Sequence, residues 1–453
     1  MAHVNASRGR ALHVPPEPPI MADARPDALL YALALMIWTY VWRLQDLVPV
    51  LGALQLNLLA SGASVALFVV DRYPERQTRF LRPSMLACAA GLVCIAILGL
   101  PTSLWPRNSG IALANELLPN LLLMTMLAAS IRSPRDLEWI AMATLLGANV
   151  YSLFALLRFG VDSTGRLGDL LYYDANDLAL VLLCTIPLAL YFLLRTGVRH
   201  RLLGGTGLIL MGAVFVRSGS RGGFLGLLAV LLFVLIAYRA IPWRVRLVAV
   251  LGGVAALALL AGESYWTKMR TLSALEEDYN WSGRAPEGRM EVWRRGLGYM
   301  TDHPLVGVGL RNFQLAEGML SEEAKARAER GRGFKWSAAH NSFLEVGVEL
   351  GVTGLLLFIT MLGVTFRSLR RITRAPELLE QPPFRGQAFA CTLTASFIGF
   401  CVAGMFVSAD QFSLLYVLLA MALGLTKLED LERFHAMSWH AWPAPILREA
   451  YGQ

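Results

Sequence analysis

The sequence predicts an all-α, polytopic integral membrane protein with about twelve transmembrane helices and one large periplasmic loop. Of its 453 residues, 55% are hydrophobic and only 16% are charged. The mean hydropathy of +0.50 is too high for a soluble multidomain protein. The apolar residues also fall in runs of about 17 to 25, which is the length that crosses a bilayer core as a helix.

The apolar runs divide the chain into five regions. Residues 1–26 contain five prolines and no apolar run, so we expect a disordered cytoplasmic tail there rather than a signal peptide. Helices 1–9 are predicted in residues 27–262, a periplasmic loop with short helices in 263–339, helices 10–12 in 340–427, and a cytoplasmic tail in 428–453. The predicted spans are 27–44, 46–70, 84–101, 111–131, 137–158, 176–195, 202–217, 221–239, 245–262, 340–366, 386–408 and 411–427.

The arginines fall mainly in alternate loops, and this pattern predicts the orientation because cytoplasmic loops retain Lys and Arg. With the amino terminus inside, the inside loops hold Arg72, Arg76, Arg79, Arg82, Arg132, Arg135, Arg195, Arg199, Arg201, Arg239, Arg244, Arg246, Arg367, Arg370, Arg371, Arg374 and Arg385. The short outer loops hold Arg43, Arg107, Arg158, Arg166, Arg217 and Arg221. The long loop is therefore expected outside, in the periplasm, with the spans in a bacterial inner membrane.

The net charge of +8 is explained by this topology, so we expect no nucleic-acid partner. The five cysteines all lie within predicted spans and have no metal-ligand spacing. We therefore expect neither a disulfide nor a metal site. The sequence also lacks a His-Glu-x-x-His zinc motif and a Walker loop.

His340 stands where the long loop returns to the membrane, and we predict that it opens the next helix. In a helix it would share a face with Gly347, Gly351 and Gly354, a small-residue face that lets another helix pack closely. The positive end of the helix dipole would keep the imidazole neutral near pH 7 and able to accept a proton. The same position also suits a histidine that only forms an interfacial hydrogen bond.

A tight outer turn, residues 218–225, carries a second candidate. Ser218 or Ser220 can cap the following helix, and the free amides of such a turn favour phosphate. Arg221 adds a permanent cation with the fork geometry that suits phosphate oxygens. The alternative is an arginine that only reaches the membrane interface.

The periplasmic loop adds further cations. Residues 287–300 predict an amphipathic helix with Met290, Trp293 and Leu297 on one side. Most of the loop charges are expected to be solvated, above all those of residues 322–335. Earlier in the chain, residues 172–177 combine tyrosines with amide and carboxylate groups that could hold sugar hydroxyls, although tyrosine is also common at any membrane interface.

Taken together, several of these pieces resemble one family. They are His340–Asn341 followed by Gly351-x-x-Gly354, the Arg221-x-x-x-Leu225 element, and the runs 288–293 and 303–309. The combination is similar to the O-antigen ligase family, which also includes outer-face glycan polymerases and protein O-oligosaccharyltransferases. The resemblance covers roughly residues 160–427.

The resemblance implies a twelve-helix enzyme that transfers a glycan from undecaprenyl diphosphate to an acceptor hydroxyl, without a metal or another cofactor. It implies a catalytic role for His340 and donor diphosphate binding by Arg221 and Arg289. No role is carried onto Arg166 or Asn176, whose surroundings match the family pattern only loosely.

The chemistry of such a transfer agrees with these residue types. A sugar diphosphate leaves as a stable anion, so the reaction needs a base for the incoming hydroxyl and cations for the phosphates. His340 can supply the base and the two arginines the cations, and direct attack would invert the anomeric centre. The expected partners are the undecaprenyl-diphosphate-linked donor, lipid A core as acceptor, and membrane lipids.

Three alternatives stay open on the sequence. A glycan-repeat polymerase or a protein O-oligosaccharyltransferase would share the donor site and differ in its acceptor. A non-catalytic transporter for a lipid or glycan would also explain the cationic outer face.

Overall fold

The computed structural model describes residues 25–162, 165–273, 278–283, 285–375, 379 and 384–440. Within these ranges the chain is helical with connecting turns, and its strand-like pairing is an isolated bridge between Val161 and Leu167. The predicted all-α, polytopic membrane fold is confirmed. The predicted tail at 1–26 lies outside the described residues apart from Arg25 and Pro26.

Nineteen α-helices follow one another in the described ranges, joined by short 3-10 turns and one π-helix. Their bounds are α1 Ala28–Tyr40, α2 Leu44–Leu47, α3 Pro49–Gly52, α4 Leu56–Val70, α5 Pro83–Gly99, α6 Pro106–Ala112, α7 Leu118–Ser130, α8 Pro134–Arg158, α9 Ala175–Leu193, α10 Val198–Ser218, α11 Arg221–Ile236, α12 Trp243–Leu260, α13 Glu263–Arg270, α14 Arg289–Asp302, α15 Phe313–Met319, α16 Glu322–Glu329, α17 Ser342–Arg374, α18 Gly386–Ala403 and α19 Ser413–His440. The π-helix, Leu113–Leu117, joins α6 to α7.

Eight helical segments in the described residues are long and apolar enough to cross a membrane. They comprise α5 with its 3-10 extension, α6 and α7 joined through the π-helix, and α8, α9, α10, α12, α17 and α18. The shorter apolar helices α1, α4 and α11 also coincide with predicted spans. The count of twelve membrane crossings stays a prediction.

The predicted span 46–70 is wrong as a single helix. It divides into α2, α3 and α4, because Gln55 adopts a left-handed conformation with φ of 45° in front of α4. The last helix differs in the opposite direction. α19 continues to His440, so the predicted tail at 428–453 begins as an extension of the helix, and residues 441–453 lie outside the described residues.

The helix predicted to open at His340 begins two residues later, at Ser342. Asn341 is its N-cap, and its side-chain oxygen accepts from the amides of Phe343 and Leu344 at 3.0 and 3.1 Å. This cap satisfies the first free amides of the helix, so the helix begins after Asn341. His340 lies outside it in a left-handed conformation with φ of 46°. The prediction that its imidazole shares a helical face with the glycines is therefore wrong.

α17 has a kink at Gly351. Gly351 has φ of 73° and ψ of 177°, so it interrupts α17. The break leaves carbonyls of the preceding turn free, and Val308 and Gly309 donate to those of Val348 and Glu349 at 2.9 and 3.0 Å. In return the Val352 amide donates to the Pro304 carbonyl at 2.8 Å. The segment 304–309 of the long loop therefore packs against the kink at Gly351.

The loop has a small apolar core of its own. The predicted amphipathic helix is present as α14, which buries Val292, Gly296 and Tyr299 against α17 and α15. The buried Glu317 carboxylate of α15 fixes α14 from the side. It accepts from Arg295 at 2.5 and 2.9 Å and from the Tyr299 hydroxyl at 3.0 Å.

We expect Glu317→Ala to destabilise the loop. Removing one partner of a buried ion pair leaves Arg295 and Tyr299 without their acceptor, a loss of about 3 kcal/mol. Thermal unfolding of the purified protein in detergent measures the effect as a lower melting temperature. Glu322→Ala is the matched control, because Glu322 is 89% exposed and pairs with Lys325 on the same loop. Equal melting temperatures for the two variants would contradict this account.

Candidate active site

Arg221 is the first residue of α11, at a sharp turn after α10. Gly219 forms the turn with φ of 57°, and the Ser220 hydroxyl accepts from the Gly223 amide at 3.2 Å. The predicted serine cap is thus confirmed. Arg221 donates to the Asp278 carboxylate and, at 2.8 Å, to the Thr271 hydroxyl. Burial opposes ionisation of Asp278, but the hydrogen bond from Arg221 and further bonds lower its pKa.

Arg289 is likewise the first residue of its helix, α14. Gly288 precedes it in a position with no room for a side chain, since a Cβ there would lie 2.6 Å from the Tyr279 carbonyl oxygen. Arg289 donates to the Phe406 carbonyl at 3.2 Å. Among the described residues, no carboxylate forms an ion pair with it. Burial first, and then the charge of Arg221, lowers the pKa of Arg289.

His340 lies beside this arginine. Its amide donates to the Ser408 hydroxyl at 3.1 Å, which helps to hold the left-handed backbone. Burial first, and then the charge of Arg289, lowers the pKa of the imidazole, while the Asp174 carboxylate opposes the shift. The imidazole is neutral near pH 7. Its neutrality agrees with the sequence argument, but burial and a neighbouring cation are the cause instead of a position in the helix.

The structure therefore brings the three predicted residues into one electrostatic environment. The charge of Arg289 acts on His340, and that of Arg221 acts on Arg289. All three lie at the starts of helices or directly before one, where free amides add positive potential. The role of His340 as a base and the roles of Arg221 and Arg289 as phosphate-binding cations remain predictions.

Further polar groups join this environment from α9, from α13 and from the loop that precedes α9. Arg166 donates to the Ser218 carbonyl at 2.9 Å and to the Asn176 side-chain oxygen at 3.0 Å. Burial, followed by the charge of Arg166, lowers the pKa of Lys268. The Arg166 charge also acts on Arg289. No role was predicted for Arg166, Asn176 or Lys268, yet their hydrogen bonds and charges connect them with the predicted residues.

A segment that the sequence argument missed connects these groups. Residues 404–408 were predicted as the end of a span, whereas α18 ends at Ala403 and turns follow it. The Phe406 carbonyl accepts from Arg289. The Phe406 side chain lies against Gly222, where an added Cβ would come within 2.6 Å of the Phe406 Cβ. Ser408 binds the amide of His340. The polar run 408–411 between two apolar runs was the available signal for a loop.

Comparison with known proteins bears on this arrangement. Residues 206–359 match the O-antigen ligase family model. The match covers about a third of the chain and contains Arg221, Arg289 and His340. The resemblance that the motifs predicted is confirmed. Arg166 and residues 404–409 lie outside the O-antigen ligase match.

A curated protein of Rickettsia conorii (strain ATCC VR-613 / Malish 7), named "Putative polysaccharide ligase", is 26% identical over 135 residues. The alignment covers 29% of this chain and 29% of the Rickettsia protein. This chain therefore spans less than a third of the length of the curated relative that it matches.

We expect Arg289→Ala to raise the pKa of His340, because removing a nearby positive charge favours the imidazolium form. The pH dependence of carbethoxylation at His340, measured by mass spectrometry of the purified protein, reports this pKa, since the reagent attacks the neutral ring. Arg294→Ala is the control, because Arg294 lies on the same helix and is 73% exposed. An unchanged pH dependence of carbethoxylation in Arg289→Ala would show that the charge of Arg289 does not act on His340.

Proposed function

We propose that this protein is an inverting, metal-independent glycosyltransferase of the O-antigen ligase type. It moves a glycan from undecaprenyl diphosphate to an acceptor hydroxyl of lipid A core. The arginine distribution supports an inner-membrane location with the site facing the periplasm. The observation that carries the proposal is that one turn, residues 404–409, binds both His340, whose imidazole is neutral, and Arg289, which has no carboxylate partner among the described residues.

In this mechanism, the two arginines bind the donor diphosphate. Arg289 keeps its charge available because its hydrogen bond goes to a carbonyl oxygen. Arg221 is oriented by Asp278, and its guanidinium has five N–H donors, so it can hold the carboxylate and still donate to a phosphate. Both cations then stabilise the negative charge that develops as the sugar–phosphate bond breaks.

His340 supplies the base. The neutral ring takes the proton from the acceptor hydroxyl while that oxygen forms a bond to the anomeric carbon. On the opposite side the carbon–oxygen bond to the diphosphate breaks, and undecaprenyl diphosphate leaves with the electron pair. The proton stays on the imidazole until it is released to water. A single displacement of this kind inverts the anomeric centre.

The acceptor distinguishes this proposal from its relatives in the same superfamily. Labelled donor presented with lipid A core, with a glycan-repeat lipid or with a hydroxyl-bearing protein tests ligase, polymerase and protein-glycosylating activity side by side. Transfer in detergent, where no membrane separates two compartments, excludes a pure carrier. Absence of product with every acceptor would contradict the proposed function.

We expect His340→Ala to lower the transfer rate by about two to four orders of magnitude, the usual contribution of a general base. The wild-type rate should rise with pH through the lowered pKa of His340 and then level off, because the imidazolium form cannot accept a proton. His200→Ala is the control, at the amino-terminal end of α10. A normally folded His340→Ala protein with full activity would remove His340 as the base.

We expect Arg289→Ala to lower kcat/KM for the donor by about 100-fold, the scale of one lost electrostatic contact to the transition state. Arg294→Ala on the same helix should retain activity. Chelation with EDTA should leave the wild-type rate unchanged, because the arginines supply the positive charge. Activity that disappears with EDTA and returns with a divalent ion would overturn this account.

A further inference from the structure

A cavity of about 470 Å³ lies between α1, α4 and the π-helix that leads into α7. It is separate from the cluster of Arg221, Arg289 and His340, none of which lines it. The π-helix contributes Asn115 and Glu116 to the wall. Such one-turn π-helices are often found at functional sites, because the extra residue redirects side chains.

One half of this cavity is apolar and faces the side of the helix bundle. Leu58, Val65 and Leu122 line it, and all three are exposed, Leu58 by 60%. They lie on α4 and α7, whose exposed apolar side chains are expected to face lipid. The cavity therefore opens sideways into the membrane, so its ligand is an amphiphile that keeps its chain in the bilayer.

The other half of the cavity contains polar groups that lack partners. Asn120 is only 3% exposed, and its side-chain nitrogen donates to the Gln411 carbonyl at 2.7 Å. Its side-chain oxygen is buried without a hydrogen-bond partner among the described residues, as is that of Gln411. Both residues line the cavity. Unsatisfied buried acceptors are rare and costly, and hydroxyl groups of a ligand would satisfy them.

The charges in this cavity are balanced. Arg43 pairs with Asp46 at 2.8 Å, and Arg311 pairs with Glu116 at 2.6 Å. The Arg43 guanidinium also lies over the Tyr172 ring, 4.1 Å from its centre. With its cations already paired, the cavity favours a neutral, hydroxyl-rich group over a phosphate. Aromatic and amide side chains of this kind suit a sugar.

Two short segments connect this cavity with the candidate active site. Tyr172 lines the cavity, and two residues later the Asp174 carboxylate acts on both His340 and Arg289. Gln411 lines the cavity as well, and three residues earlier Ser408 binds the His340 amide. A headgroup in the cavity is thus next to the segments that position the base.

We propose that this cavity binds the sugar headgroup of a neutral glycolipid, with the lipid chain leaving between α4 and α7. This ligand differs from the lipid A core of the proposed function, whose sugars next to the acyl chains carry phosphates. Its binding does not depend on the transferase function and can be measured separately.

The test uses the full-length protein in phosphatidylcholine nanodiscs and a glucosyl diacylglycerol with a photoreactive group in its acyl chain. We expect labelled peptides from residues 56–65 and 113–126. Unlabelled glucosyl diacylglycerol should displace the probe, whereas phosphatidic acid with the same chains should not. Labelling elsewhere, or equal displacement by phosphatidic acid, would overturn the proposal.

Two variants examine the cavity itself. Leu58→Trp fills the apolar half and should reduce labelling by about fivefold or more. Leu259→Trp is the matched control on α12, where Leu259 is 86% exposed, and should label like the wild type. Gln411→Met removes one unpaired acceptor and should weaken competition by glucosyl diacylglycerol about two- to tenfold, the effect of one hydrogen bond. Unchanged labelling in Leu58→Trp would contradict the proposal.

Transfer kinetics separate this proposal from the proposed function. In Leu58→Trp we expect reduced labelling of the cavity, with the KM values for the donor and for lipid A core unchanged. A wild-type protein that transfers glycan, combined with no labelling of the cavity, would reject the cavity alone. Labelling of the cavity without transfer to any acceptor would reject the transferase and leave a glycolipid-binding site.

Discussion

The hydrogen bonds between residues 404–409 and the start of α17 are the constraint on which the candidate site depends. The Ser342 amide donates to the Gly404 carbonyl at 2.8 Å, and its hydroxyl donates to the Val407 carbonyl at 2.7 Å and accepts from the Ala409 amide at 2.9 Å. Ser342 alone therefore forms three hydrogen bonds to the turn at residues 404–409. Because that turn also accepts hydrogen bonds from the Arg289 guanidinium and from the His340 amide, it positions both residues.

A second set of hydrogen bonds, between main-chain groups, fixes the long loop on α17. The kink at Gly351 exchanges helical hydrogen bonds for bonds to residues 304–309, so the loop continues the backbone network of α17. Gly307 and Gly309 need positive φ angles to run so close, and a Cβ on Gly307 would lie 2.4 Å from the backbone of Glu349. These contacts also anchor the end of α14, which stops at Asp302 directly before this segment and begins at Arg289.

The parts of this arrangement that the sequence predicted are those with local signals. Apolar runs located the helices, Ser220 marked a cap, and residues 287–300 showed the period of α14. The left-handed backbone of His340, the kink at Gly351 and the turn at 404–409 result from contacts between residues distant in sequence, such as Ser342 with Val407. The cavity could not be predicted either. In the sequence Tyr172 is an ordinary interfacial tyrosine, and its contact with Arg43 depends on the fold.

The distribution of charge creates two environments with different ligand preferences. Around His340, Arg289 bonds to a carbonyl oxygen, and its pKa is lowered by burial and then by Arg221, as expected where positive groups lie close together. Such an arrangement is stabilised by an anion and is costly without one. Beyond Tyr172 the arginines are paired with Asp46 and Glu116, which removes that preference. A diphosphate is therefore favoured in the first environment and a neutral sugar in the second.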